Sequence, residues 1–342
     1  MGGDAQLCVS PQKKKGGFMS ELLRKAMTWD CPEEIPVSVG VLPAMWLHYG
    51  GEMTRFAREY PDFLPQNRTP ESVKEGIAGR YKQGQWTDEW GCVWNNAHEG
   101  MDAIVTGHPV PRREDILTLK IPENRDGSLP HGLMYLRLLD LRGFEEAMLD
   151  FAEECDELQM LIDKVLEYNC IQIEYALSRS GPAPKAGEVM GFGDDLGMQT
   201  GLAIGALKWR KYMKPCFTKM FGLVHRAGRL VYLHTDGCIW EIMPDLQECG
   251  ATMINPQLRA NGLENLVRVC RGKIPINLDL DRQMFPFATP SQLRDHVREC
   301  VEALWLPQGG LGLSVELNYD VPLENAAALL DELRAVKGYK GH

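Results

Sequence analysis

Short apolar segments alternate with amphipathic segments throughout the second half of this 342-residue chain. An uninterrupted apolar run of about four to eight residues is typical of a buried strand, whereas apolar residues that recur every three or four positions indicate a helix. The predicted strands are 188–191, 230–234, 252–255, 274–279 and 312–317. The predicted helices are 202–214, 215–227, 239–249, 262–271, 290–305 and 322–336.

This alternation predicts a parallel sheet whose strands are joined by right-handed crossovers through helices. Five strand-helix units leave room for about three more, and the first is predicted to begin near Val37. We therefore predict an α/β fold, a (β/α)8 TIM barrel with an N-terminal extension. An open doubly wound sheet is the alternative, but segment 35–51 lacks the GxGxxG phosphate loop of its dinucleotide-binding version.

The remaining segments predict the domain organisation. Residues 1–18 contain three lysines but no apolar stretch that would make a secretory signal, and we expect them to form a disordered tail. Residues 19–342 are predicted to form a single barrel domain. Within it, segment 86–109 is rich in aromatic and turn residues and predicts a hairpin or insertion, which two helices follow at 142–157 and 158–178.

Composition excludes several classes of protein. Hydrophobic residues make up 44% and charged residues 25% of the chain, as in ordinary globular domains. No apolar run approaches the roughly 18 residues of a membrane helix, so we expect no membrane span. The formal net charge of -10 disfavours broad binding of nucleic acid. Ten cysteines without a CxxC pair favour reduced thiols, and hence a cytoplasmic location.

A histidine and an aspartate, His234 and Asp236, follow the apolar run 230–233. The carboxyl ends of the strands carry the active site in parallel barrels, and residues i and i+2 of an extended segment point the same way. The two side chains are therefore candidates to share one ligand, proton or metal ion. The alternative is a structural pair in which the carboxylate only holds the imidazole.

Five short segments, in this order, resemble the uroporphyrinogen decarboxylase superfamily. They are 193–199 (GDDLGMQ), 234–237 (HTDG), 254–257 (INPQ), 281–283 (DRQ) and 322–325 (PLEN). The resemblance covers about residues 186–336, the span of the last five predicted barrel units, and the first half matches mainly at 88–91 (DEWG). The superfamily includes cobalamin-dependent methyltransferases as well as decarboxylases.

Departures from the family pattern distinguish between its branches. The decarboxylases carry an arginine-bearing segment after their first strand, whereas segment 37–46 contains no arginine, which disfavours a polyacidic tetrapyrrole. The thiol-methylating branch carries a zinc site made of a His-x-Cys pair and a distant cysteine. Asp236 stands in place of the first cysteine, and Glu316 lies near the position of the second. Oxygen ligands suit a harder site or direct proton chemistry better than thiolates do.

The resemblance therefore implies a methyltransferase that removes a methyl group from a small methoxylated substrate, with an aromatic ether as the leading type. The acceptor would be the Co(I) corrinoid (cobalamin) of a partner protein, and zinc is a second possible cofactor. The alternatives are a methylcobalamin-dependent thiol methyltransferase, a decarboxylase of the uroporphyrinogen decarboxylase type, and a non-catalytic binding barrel. A site that assists a departing oxygen would use an acid or a metal ion.

The same resemblance supplies the candidate site residues. Of the adjacent Asp194 and Asp195, one is expected to orient substrate and the other to cap the next helix, and we favour Asp194 for the substrate. The predicted catalytic residues are His234, Asp236 and Asp194. The predicted substrate-binding residues are Trp90, Gln199, Asn255 and Asp281. The predicted metal ligands are His234, Asp236 and Glu316.

Overall fold

The structure is a computed structural model that describes residues 16–179 and 188–341. Within these residues the chain divides into two compact units. The first unit comprises 85–95 and most of 104–256, and the second unit comprises 16–84, 96–103 and 257–341. Among the described helices, none combines the length and the hydropathy that a crossing of the bilayer requires.

The described residues form nine strands and fifteen α-helices. The strands are β1 Val37–Val41, β2 Gly84–Thr87, β3 Val93–Asn96, β4 Ile104–Gly107, β5 Val189–Gly193, β6 Leu230–Thr235, β7 Met253–Pro256, β8 Ile276–Asp279 and β9 Leu311–Leu317. The helices are α1 Gly16–Met27, α2 Pro43–Tyr49, α3 Gly51–Glu59, α4 Pro70–Gly76, α5 Arg113–Thr118, α6 Tyr135–Arg142, α7 Phe144–Glu153, α8 Asp156–Ser178, α9 Gly205–Lys208, α10 Lys214–Arg226, α11 Met243–Glu248, α12 Leu258–Asn261, α13 Leu263–Cys270, α14 Pro290–Leu304 and α15 Leu323–Val336. A 3-10 turn spans Gly79–Tyr81, and a π-helical segment spans Trp209–Met213.

In the first unit, β5, β6 and β7 are parallel neighbours. Gly193 pairs with His234, and His234 pairs with Asn255, so the three strands end at one level of the sheet. Four of the six residues of the central strand β6 are buried, as expected for a parallel strand that is covered on both faces. Helix α10 packs on both β6 and α8. This packing fixes the level at which the polar residues after β5 and β6 emerge.

In the second unit, β9 lies between β1 and β8, again with all strands parallel. Val37 pairs with Leu313 on one side of β9, and Leu278 pairs with Leu313 on the other. Helices α14 and α15 pack against each other. Helix α14 begins with a capping box, in which Thr289 and Gln292 each accept from the other's backbone amide. The predicted first strand near Val37 is confirmed.

The segment predicted as a hairpin or insertion forms a separate three-stranded sheet in the order β2-β3-β4. Strands β3 and β4 are antiparallel, with a register shift between Val93 and Trp94. The predicted hairpin or insertion at 86–109 is confirmed, because turn residues there separate strands that are too short to form part of a barrel wall. Trp86 and Trp94 stack nearly parallel, with ring centroids 6.1 Å apart.

The five strands predicted for the second half are confirmed, with ends that move by one or two residues. The helices predicted at 202–214 and 215–227 are not separated by a break at Pro215, because α9, the π-helical segment and α10 follow one another directly. A π-helical turn relaxes the usual hydrogen-bond ladder, and Pro215 lies in the first turn of α10, where its missing amide hydrogen costs little. Pro244 lies in the first turn of α11, which begins at Met243 and not at the predicted residue 239.

Two other parts of the chain have no clear periodic pattern of apolar residues. Helices α6 and α12 were not predicted: α6 follows an irregular segment, and α12 spans only Leu258–Asn261, directly after β7 and Gln257. Residues 1–15 of the predicted tail lie outside the described residues, and the last part of that tail, from Gly16, belongs to α1.

Candidate functional site

The loops that follow β5 and β6 are tied together by their backbones. The amide of Gly197 donates to the Asp236 carbonyl oxygen at 3.2 Å, and the amide of Cys238 donates to the Met198 carbonyl oxygen at 2.8 Å. The amide of Asp236 also donates to Oδ1 of Asp195 at 3.0 Å. These bonds hold the side chain of Asp195 against the backbone of Asp236 at the ends of two neighbouring strands.

This crossing of loops depends on glycine. Gly237 has a φ of 85°, which side chains other than glycine rarely adopt, and a Cβ there would lie 2.2 Å from the carbonyl carbon of Gly197. The backbone atoms of Gly197 could move away from such a Cβ only if the two loops separated. Gly205 has a φ of 69° but open space around its Cα, which makes it a matched reference for backbone strain alone.

Gly237→Ala is expected to lower the free energy of unfolding by about 2–4 kcal/mol, because backbone strain and a backbone clash add together. Gly205→Ala should cost only about 1–2 kcal/mol, since it carries the strain without the clash. Equilibrium urea unfolding of both variants measures the difference. Equal losses would show that the loops separate easily.

His234 ends β6 with its ring held on both sides. Its Nδ1 lies 2.8 Å from Oδ1 of Asn255 on β7, and its Nε2 lies 3.3 Å from Oδ1 of Asp236. The side chain is 19% exposed, so it can still meet a small ligand. The structure thus brings three of the predicted residues together: His234, Asp236 and Asn255.

A second histidine, His131, completes the cluster and was not predicted from the sequence. Its Nε2 lies 3.0 Å from Oδ2 of Asp195, and its ring centroid lies 5.5 Å from that of His234. The amide of Gly132 donates to the Gly193 carbonyl oxygen at 2.8 Å, which places the irregular segment before α6 against the end of β5. The only sequence signal is weak: His131 is one of just eight histidines in the chain and lies in a Pro-His-Gly turn.

The adjacent aspartates have different roles. Asp194 is fully buried and accepts hydrogen bonds from the amides of Tyr135 and Leu136, at 2.6 and 3.0 Å, in the first turn of α6. It therefore neutralises the helix N-terminus. Burial raises the pKa of Asp194 to about 6, although these two hydrogen bonds act in the opposite direction.

Asp195 points the other way, as the next residue of an extended segment must, and faces the histidines. Burial by itself would raise the pKa of Asp195. The hydrogen bond from His131, together with the positive charges of His131 and His234, outweighs burial and lowers that pKa well below its usual range. Asp195 is therefore an ionised carboxylate that faces the histidines, whereas Asp194, the residue that the sequence favours for orienting substrate, accepts hydrogen bonds from the amides of α6.

His131, Asp195 and His234 can hold a metal ion. The nitrogen and oxygen atoms that they offer all lie within 4.8 Å of one another, and this is the one group of its kind in the part of the chain that the structure describes. Without an ion, the same groups can hold and release a proton, because the two imidazoles lie next to carboxylates.

The other residues predicted for substrate binding in the first unit are Trp90 and Gln199. Trp90 is 4% exposed, and its ring packs edge-on against Tyr168 with centroids 5.2 Å apart. Gln199 is exposed in the loop that follows β5. The position of Trp90 is that of a core residue, whereas Gln199 is accessible to a ligand.

Asp281 and Glu316 lie in the second unit, each in an ion pair. Asp281 pairs with Arg259 at 2.8 Å, and Glu316 pairs with Arg282 at 2.6 Å. Arg282 also contacts the buried carboxylate of Asp279 at 2.9 Å. The carboxylate of Glu316, predicted as a metal ligand, is thus engaged by a guanidinium group.

Parallel strands alternating with helices, with polar clusters at strand ends, define a protein of the α/β barrel class. The family model described as "Uroporphyrinogen decarboxylase (URO-D)" matches residues 140–336, which is more than half of the chain. The chain belongs to the uroporphyrinogen decarboxylase family. The resemblance recognised in its sequence motifs is confirmed.

Among solved structures, the fold is similar to that of a methyltransferase from Methanosarcina mazei. The two share 15% sequence identity with a TM-score of 0.59, and the match covers 93% of this chain and 98% of the other. Such similarity shows a common fold, and together with the family it confirms the predicted TIM-barrel class. No curated protein sequence matches the chain significantly.

Proposed function

We propose that this protein is a methyltransferase that takes a methyl group from a small methoxylated substrate, foremost an aryl methyl ether, and passes it to the corrinoid of a partner protein. The observation that carries the proposal is the cluster of His131, Asp195, His234 and Asp236, which offers imidazole nitrogens and carboxylate oxygens but no thiolate. The similar fold of a known methyltransferase supports the reaction class.

The chemistry of an ether explains why such a cluster is suitable. When the methyl group leaves, the C–O bond breaks and its electron pair stays on oxygen, so negative charge develops there. The corrinoid, when docked, would supply cobalt in its Co(I) state as the nucleophile. The protein's task is to stabilise the departing oxygen, which requires a proton or a cation next to it.

The contacts within the cluster suit the stabilisation of a departing oxygen. The ring of His234 is fixed by Asn255 at 2.8 Å, so its Nε2 keeps one direction. Asp195 and Asp236 lie next to the two imidazoles at 3.0 and 3.3 Å and favour positive charge in the cluster. Preorganised groups of this kind need no reorientation when charge develops.

The test supplies a reduced corrinoid to the purified full-length protein and screens methoxylated aromatic compounds. We expect at least one aryl methyl ether to alkylate the cobalt, which changes its visible absorbance. A free thiol should be a poor acceptor from methylcobalamin, since the cluster lacks a soft ligand for a thiolate.

Three results would contradict the proposal. Rapid methylation of a thiol with no reaction of any methoxylated aromatic would favour the thiol branch. Release of carbon dioxide from a carboxylated substrate without any corrinoid would show a decarboxylase, the reaction after which the family is named. Tight binding of a methoxylated compound without turnover would indicate a binding barrel.

A further inference from the structure

We propose that His131, Asp195 and His234 bind one divalent metal ion, and that zinc fits this ligand set best. Two imidazoles and one carboxylate form a three-ligand set that leaves further coordination positions open, as catalytic zinc sites do. This set differs from the one predicted from the sequence, because it contains His131 and Asp195 and excludes Glu316. The catalytic role of the ion rests on the proposed function, whereas its binding does not.

The distances between the three side chains suit a single ion. A zinc ion with bonds of about 2.0–2.2 Å places two tetrahedral ligands about 3.3 Å apart. His131 Nε2 and Asp195 Oδ2 are already 3.0 Å apart. All the ligand atoms lie within 4.8 Å of one another, so the widest pair has to approach by at most about 1.5 Å to reach about 3.3 Å.

The hydrogen bond between His234 and Asn255 orients one of the proposed ligands. A carboxylate oxygen of Asp236 lies 3.3 Å from Nε2 of His234 and adds negative charge beside a bound cation. On the other side of the ring, Nδ1 of His234 lies 2.8 Å from Oδ1 of Asn255. Such an outer partner for a ligating histidine is the usual arrangement at metal centres.

The backbone at the end of β5 also makes room for His131. A Cβ at Gly193 would lie 2.5 Å from Nδ1 of this ring, so a side chain there would push the imidazole away from Asp195. On the same strand, Gly191 has nothing within 4 Å of a Cβ position. The two glycines therefore provide a matched pair of alanine substitutions, of which only one should disturb the proposed site.

The experiment measures metal binding by the full chain after treatment with a chelator, without any methyl donor or corrinoid. Calorimetric titration with zinc chloride should give one equivalent bound, and cobalt(II) should give visible absorption bands at the same site. His131→Ala, Asp195→Asn and His234→Ala should each raise the zinc Kd by about 10-fold or more, because one of three ligands is lost. Asn255→Ala should raise it by about 10–100-fold through the loss of orientation.

Matched variants separate this site from the alternatives. Gly193→Ala should raise the Kd by about 10-fold or more, whereas Gly191→Ala should leave it unchanged, as should His98→Ala, which removes an exposed histidine. Glu316→Gln should also bind zinc normally. If His131→Ala does not fold by circular dichroism, His131→Gln replaces it.

The proposal fails if the wild-type chain binds neither zinc nor cobalt, or if the His131 and Asp195 variants bind as tightly as the wild type. It also fails if Glu316→Gln weakens binding as strongly as His234→Ala does, because the ligand set would then be the one predicted from the sequence. A chain that binds zinc at these three residues yet transfers no methyl group would leave the metal site standing and refute the proposed function.

Discussion

His234→Ala is expected to lower the rate of methyl transfer from an aryl methyl ether to a supplied corrinoid by about 100-fold or more. This is the scale on which one acid-base or electrophilic group contributes to catalysis. The ring of His234 contacts two other residues of the site, Asn255 and Asp236. The rate is followed through the visible absorbance of the cobalt.

The matched control for this variant is His98→Ala, which removes an exposed imidazole of the chain and should leave the rate unchanged. Circular dichroism and thermal melting establish that both variants are folded. Near-normal transfer by folded His234→Ala would mean that the histidine only holds the ends of β6 and β7 together.

Asp150→Ala is expected to lower the free energy of unfolding by about 3–5 kcal/mol, the usual result of removing one partner from a buried ion pair. Asp150 and Arg142 are 0% and 1% exposed and lie 2.7 Å apart, and Arg113 contacts the same carboxylate at 2.7 Å. Without the carboxylate, the guanidinium of Arg142 stays buried with too little compensating charge. Equilibrium urea unfolding measures the loss.

An exposed ion pair provides the comparison. Glu52 and Arg55 are 62% and 70% exposed and lie 3.9 Å apart, so Glu52→Ala should change the free energy of unfolding by less than about 0.5 kcal/mol. A small loss in Asp150→Ala would show that water or a rearranged Glu146, now 3.1 Å from Arg142, compensates the charge.

The sequence alone determined the strand-helix alternation, the class of fold and the two candidate site residues at the end of β6. Apolar runs such as 230–233 are typical of a buried strand, and polar residues that directly follow such a strand emerge at its end. His234 and Asp236 were therefore found from local pattern. The same is true of the family motifs, which are short segments at fixed places along the chain.

Tertiary structure decided which side chains meet. His131 lies about a hundred residues before His234 in a segment without periodicity. The bond from Gly132 to Gly193 and the space beside Gly193 help to bring it to Asp195. The choice between Asp194 and Asp195 likewise depends on α6, because the first amides of this helix donate hydrogen bonds to the Asp194 carboxylate. Local pattern fixes which residues reach a strand end, but contacts between distant segments depend on packing and on close backbone approach, which no short stretch of sequence encodes.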